Sequence, residues 1–134
     1  MHLKIYSDGA SRGNPGPSAI AFIILDEYGE ILTKKAKYVG VKTNNQAEYL
    51  ALSSALDSAS KISTEKVTCC LDSKLVVNQL NGEYKVKDHK LMILWKKLDK
   101  FKERFQKTVF IYVPRTDRYI KMVDLLANQT LDTI

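Results

Sequence analysis

Leu3-Lys4-Ile5-Tyr6-Ser7-Asp8-Gly9 opens the chain with apolar and polar residues in near alternation and closes on an Asp-Gly pair. A period of two marks a strand with one buried face, and Asp-Gly is turn chemistry. A strand is therefore expected over residues 3–7, with Asp8 at its end. Arg12-Gly13-Asn14-Pro15-Gly16-Pro17 is turn-forming throughout and leads into a β-rich run over residues 19–25. Tyr28-Gly29-Glu30 reads as a hairpin turn before a third strand, residues 31–39. The opening thus predicts an antiparallel meander.

The periodicity then changes. Asn44 or Asn45 is positioned to cap an Ala- and Leu-rich helix that continues to Ser60. Residues 66–71 are β-prone, Asp72-Ser73 caps a short helix over residues 74–80, and Asn81-Gly82 closes it. Leu91, Leu94, Trp95, Leu98, Phe101 and Phe105 recur at intervals of three and four, the stripe of a long amphipathic helix. Tyr84 and Trp95 are assigned to the core. A last strand over residues 109–113 stops at Pro114, and a final helix spans residues 120–131. Three strands followed by helix, strand, helices, strand and helix predict an α/β fold. Its five-stranded mixed sheet is antiparallel first, then parallel, and flanked by helices.

At 134 residues the chain is expected to form a single domain, residues 1–134. Hydrophobic residues make up 45% and charged residues 27%, which excludes disorder and collagen-like or linker architecture. The longest apolar run, residues 19–25, is far short of the ~18–20 residues that cross a bilayer, and the N-terminus lacks a signal-peptide pattern. A cytoplasmic protein without membrane partners is expected. The adjacent Cys69 and Cys70 point to opposite faces of an extended segment, which disfavours a bridge and suits a reducing compartment. The net charge is +6, from 21 Lys and Arg against 15 Asp and Glu. Residues 85–107 alone hold nine basic and three acidic residues, a local surplus equal to the whole. Such a concentration suggests a phosphate-rich partner or, equally, a solvated helix face.

Four carboxylates stand out. Glu48 falls on the helical stripe of Leu52, Ala55, Leu56 and Ala59, and Asp124 lies between Ile120, Ala127 and Leu131. Both are expected on or beside faces that pack on the sheet, where an isolated charge is costly. Asp8 and Asp72 end strands, where ligand sites collect in open sheets. Singly, each has a structural explanation: a turn for Asp8, a cap for Asp72, a helix-dipole contact for Glu48, an exposed edge for Asp124. Together they suggest a site for a hard cation, whose ligands are oxygens. Zinc is disfavoured because His and Cys are scarce.

The blocks Tyr6-Ser7-Asp8-Gly9-Ala10-Ser11, Gly13-Asn14-Pro15-Gly16, Thr43-Asn44-Asn45-Gln46-Ala47-Glu48, Leu71-Asp72-Ser73 and Asp124-Leu125-Leu126-Ala127-Asn128 resemble, in order, those of the type 1 ribonuclease H family. The resemblance implies the ribonuclease H-like fold and an endonuclease that cuts the RNA strand of RNA/DNA hybrids, leaving 5′-phosphate and 3′-hydroxyl ends. It carries the catalytic, metal-holding set onto Asp8, Glu48, Asp72 and Asp124. The implied cofactors are two Mg²⁺ ions, with Mn²⁺ as the alternative, ~3.5–4 Å apart. Asp8 would bridge them, Asp124 would hold the ion on the nucleophile side, and Glu48 and Asp72 the ion on the leaving-group side.

The resemblance also implies that Asn14, Asn45 and Gln46 contact the RNA strand, whose 2′-hydroxyl distinguishes it from DNA, and that Thr43 contacts a DNA-strand phosphate. Asn81-Gly82-Glu83-Tyr84-Lys85-Val86-Lys87 passes straight into the long helix, like the short, archaeal-like branch that lacks the basic protrusion. Lys85 and Lys87 are then candidate duplex contacts. Residues 116–119 contain no His, and Asp117 is a rival for the fourth acidic position. The alternatives are a related nuclease acting on double-stranded RNA or DNA, a silent hybrid-binding module, and a basic RNA-contacting structural domain. A monomer is expected.

Overall fold

A computed structural model describes residues 1–134. The strands are β1 (His2–Ser11), β2 (Gly16–Leu25), β3 (Ile31–Lys42), β4 (Lys66–Leu71) and β5 (Lys107–Tyr112), and the helices are α1 (Asn44–Ser60), α2 (Lys74–Leu80), α3 (His89–Lys102) and α4 (Arg118–Asp132). They form one five-stranded sheet in the order β3-β2-β1-β4-β5. β1–β2 and β2–β3 are antiparallel, whereas β1–β4 and β4–β5 are parallel. The expected mixed sheet is therefore observed.

Residue pattern explains the layers. β2 is apolar on both faces because it is covered on both: Phe22 and Ile24 enter the core beneath α1, α2 and α3, while Ala19, Ala21, Ile23 and Leu25 pack under α4. On α1, Leu52, Ala55, Leu56 and Ala59 are fully buried, each Leu contributing roughly 1.5–3 kcal/mol of hydrophobic stabilisation. β3 is one of the two outer strands, and the exposed Lys34, Lys35 and Lys37 guard its free edge against pairing with another chain. Gly40 takes a positive φ of 83° where the β2–β3 register shifts, the conformation of a bulge. No helix is long and apolar enough to cross a membrane.

Three local expectations are corrected. β1 does not stop at Asp8-Gly9 but runs on to Ser11, because pairing with β2 continues through Ser11 opposite Ser18. The cap of α1 is Thr43 rather than Asn44 or Asn45, since Thr43 and Gln46 close a reciprocal capping box. Tyr84 is 54% exposed and not a core residue, whereas Trp95 packs against the core and donates from Nε1 to the Gln79 carbonyl at 3.3 Å. Helix α3 follows α2 after the short segment 81–88, with no further helix between them.

Candidate active site

The parallel pairing of β1 with β4 ends at Tyr6 opposite Cys70, but β1 continues. Beyond that point β1 is paired only with β2, which leaves a notch beside Asp8, two residues further along, at the end of β4. Asp72 follows the last residue of β4 and comes abreast of Asp8. Glu48 reaches the notch from α1 on one face of the sheet. Asp124 reaches it from α4 on the other.

Oxygens of Asp8, Glu48 and Asp72 lie within 4.8 Å of one another. Asp124 is outside that group of three, yet near enough that its charge helps raise Asp8. It is also exposed rather than packed against the sheet. The stripe of α4 that packs is Ile120, Val123, Ala127 and Leu131, and Asp124 follows Val123 by about 100° of helix rotation. Asp117 caps α4, accepting from the backbone N–H groups of Tyr119 at 2.8 Å and Ile120 at 3.2 Å.

Close approach of α1 to β1 builds this site. A Cβ on Gly9 would lie 2.4 Å from the Ala47 carbonyl carbon and 2.6 Å from the Glu48 nitrogen, so only glycine lets the helix pass. The Gly9 N–H donates to Glu48 Oε1 at 3.2 Å, orienting that carboxylate toward Asp8. Gly9→Ala is expected to cost about 1–3 kcal/mol or more by forcing the helix off the strand, and to displace Glu48. A urea denaturation curve read alongside divalent-cation binding checks this.

The electrostatics are those of negative charges forced together. Burial raises Asp8 to about 7, the adjacent Glu48 carboxyl opposing the rise and the neighbouring Asp72 and Asp124 adding to it. Burial, then the charge of Asp8, pushes Glu48 well above the ordinary carboxylate range. Burial also raises Asp72, against the pull of Arg115, whose Nε stands 3.7 Å from Asp72 Oδ2. Glu48 Oε2 is buried without any hydrogen-bond partner. An all-oxygen set containing an orphaned carboxylate oxygen and too much negative charge fits a divalent cation.

A groove of about 920 Å³ lies at the N-terminal end of α1, which carries Glu48. Asn14, Thr43, Asn45 and Gln46 line one part of it, and Asp88, His89, Lys90 and Leu91, at the head of α3, line another. The capping box uses Thr43 Oγ1 and Gln46 Oε1 as acceptors, leaving the Thr43 hydroxyl proton and the Gln46 amide N–H₂ free to donate. Asn14 Oδ1 accepts from the Asn44 N–H at 2.9 Å, so its N–H₂ likewise remains available. Lys85 and Lys87 are exposed but do not line this groove; Lys85 borders a separate hollow with Tyr84, Val86, Met92 and Trp95. His89, Lys90 and Arg115 were not anticipated. Lys90 belonged to the basic run, but nothing in its spacing tied it to the Asn14 loop.

Comparison with known proteins bears on this arrangement. The family model described as reverse transcriptase-like matches residues 6–130. A ribonuclease HI of Halobacterium salinarum is 36% identical over 130 residues, covering 97% of this chain and 64% of that protein. The chain belongs to the ribonuclease HI family. The crystal structure of RNase H1 from H. salinarum superposes with a TM-score of 0.94 at 34% identity, covering all of both chains. LC11-RNase H1, solved in complex with an RNA/DNA hybrid, matches with a TM-score of 0.91 at 38% identity, covering 98% of this chain and 97% of that one. The chain spans 36% of the length of the first curated relatives it matches, among them a bifunctional protein of Mycobacterium tuberculosis, and 64% of the haloarchaeal ribonuclease HI.

Proposed function

We propose that residues 1–134 act as one ribonuclease H domain that hydrolyses the RNA strand of RNA/DNA hybrids internally, leaving 5′-phosphate and 3′-hydroxyl ends. The observation that carries this reading is the meeting of Asp8, Glu48 and Asp72 within 4.8 Å, with Asp124 beside them. Holding like charges together opposes folding and is unnecessary for binding alone. The hybrid bound to LC11-RNase H1 supports the same substrate class for this chain.

Asp8, Glu48, Asp72 and Asp124 are the residues that would hold the divalent cations, Mg²⁺ or Mn²⁺. When bound, two such ions activate a water and stabilise the leaving oxygen. The protein's own groups do the rest. Amide donors of Asn14, Asn45 and Gln46 meet the RNA strand in the groove, where a 2′-hydroxyl offers both donor and acceptor. The hydroxyl of Thr43 meets a phosphate of the DNA strand, setting register without reading sequence. Lys85, Lys87 and the lysines of α3 add a diffuse, salt-sensitive attraction. Two buried free thiols, Cys69 and Cys70, suit a reducing cytoplasm.

The test uses a hybrid labelled on its RNA strand, incubated with wild type and Asp124→Asn in Mg²⁺, Mn²⁺ or excess chelator. Metal-dependent internal cuts are expected from wild type, with a loss of about 10²-fold or more in the variant. Duplex RNA and duplex DNA run in parallel define the substrate. Tight hybrid binding without any cleavage would overturn the reading in favour of a silent binding module, and preferential cutting of either homoduplex would reassign the substrate.

A further inference from the structure

The β1–β2 loop touches both helices that bring carboxylates to the notch from outside the sheet. Toward α1, the contact is that of Asn14 with the Asn44 N–H, four residues before Glu48. Toward α4, Arg12 Nη2 donates to the Asn128 carbonyl at 3.2 Å and to the carboxylate of Asp132. Asn128 then donates from Nδ2 to the Asp124 carbonyl at 2.9 Å and to Asp124 Oδ1 at 3.3 Å. A continuous path of hydrogen bonds and chain thus links the Asn14 loop to Asp124.

The loop can transmit position because it is itself braced. The Arg12 N–H donates to the Pro17 carbonyl at 2.8 Å, and Ser11 Oγ donates to the Lys42 carbonyl at 2.9 Å. A Cβ on Gly16 would fall 2.2 Å from the Arg12 carbonyl oxygen, so the turn closes tightly on Arg12. Asp124, by contrast, is exposed, and its Oδ1 accepts from Asn128. The side chain of Asn128 is what supplies the restraint. The Arg12–Asp132 ion pair is 45% and 64% exposed and adds little to stability, so its consequence lies in geometry.

We infer that Arg12 and Asn128 are positioning residues that hold Asp124 beside Asp8 and tie that carboxylate to the loop presenting Asn14 to the groove. The inference rests on the nuclease reading of the site. One consequence is that occupation of the groove at Asn14 and the placement of Asp124 are mechanically connected through Arg12.

Calorimetric titration with Mn²⁺ in the absence of substrate tests this, alongside kcat, KM and the thermal midpoint, for Arg12→Ala, Arg12→Lys, Asn128→Ala and the double alanine variant. Asn128→Ala is expected to weaken Mn²⁺ binding about tenfold, the effect usual when a group supporting a metal ligand is removed. Arg12→Ala is expected to weaken it about threefold, with Arg12→Lys recovering part of the loss. The double variant should be no worse than Asn128→Ala, because both act on one path. KM and the thermal midpoint should stay unchanged while kcat falls.

An unaltered Mn²⁺ isotherm in Asn128→Ala would overturn the inference while leaving the nuclease reading intact. So would a rise in KM with a changed salt dependence and an undiminished kcat in Arg12→Ala, which would make Arg12 a duplex contact. No Mn²⁺ uptake by the wild type would overturn the nuclease reading, and the inference with it.

Discussion

Replacing Asp8 by Asn is expected to lower hybrid cleavage by about 10³-fold or more while raising the thermal midpoint measured in chelator. Both effects have one cause. Asp8 is 5% exposed and shares its notch with Glu48 and Asp72, with Asp124 alongside. The amide preserves shape but removes the charge that would hold cations, and with it several kcal/mol of transition-state stabilisation, at about 1.4 kcal/mol per tenfold in rate. Without cations the same charge is a liability, so its removal relieves repulsion and desolvation in the folded state. Cleavage assays and thermal melts on one preparation measure the two together. Full activity in Asp8→Asn would refute the proposed catalytic set, and a lowered midpoint would refute the account of the electrostatics.

The second large effect is a reversal of pH dependence by divalent cation. Asp8 rises from 3.8 to about 7 in the folded chain, and Glu48 and Asp72 are raised too, burial being the first cause in each. A carboxyl group with a raised folded value binds its proton more tightly when folded. Its stabilising contribution is therefore complete below the unfolded value and is lost as pH climbs through about 4 to 7. For Asp8 this amounts to several kcal/mol, at about 1.4 kcal/mol per pH unit.

In chelator, urea midpoints should accordingly fall between about pH 5 and pH 8. Excess Mg²⁺ or Mn²⁺ should restore stability at pH 8 and do little at pH 5, where protons compete for the same oxygens. In Asp8→Asn, both the slope and the rescue by cation should shrink. A flat profile in chelator would show that these carboxylates are better solvated than their burial implies.

Much of this was legible in local chemistry. Alternation in residues 3–7 and the apolar run 19–25 announced strands, and the spacing of Leu52, Ala55, Leu56 and Ala59 announced a helix whose buried stripe includes Glu48. The final strand and helix were recognisable in the same way, though their ends shifted by one or two residues as caps and pairing partners took over. In isolation the pair Asp8-Gly9 favours a turn. Pairing with β2 overrode that preference and kept Asp8 inside the strand. The apolar neighbours of Asp124 suggest a place on or beside the packed face, yet helix rotation turns it outward to the notch.

The sequence by itself therefore determined which residue types were available and in what order: strands and helices by their periods, and four carboxylates whose motif blocks matched a known family. Those are properties of neighbouring residues and their backbone preferences. What only the tertiary structure decided is where the chain brings distant residues together. β4 ends short of β1, so a notch opens there, and helices from opposite faces of the sheet deliver Glu48 and Asp124 to its rim. The Arg12–Asn128 contact joins residues 116 positions apart. Such meetings depend on strand register and helix rotation, which packing sets cooperatively across the whole core, and no local stretch of residues contains them.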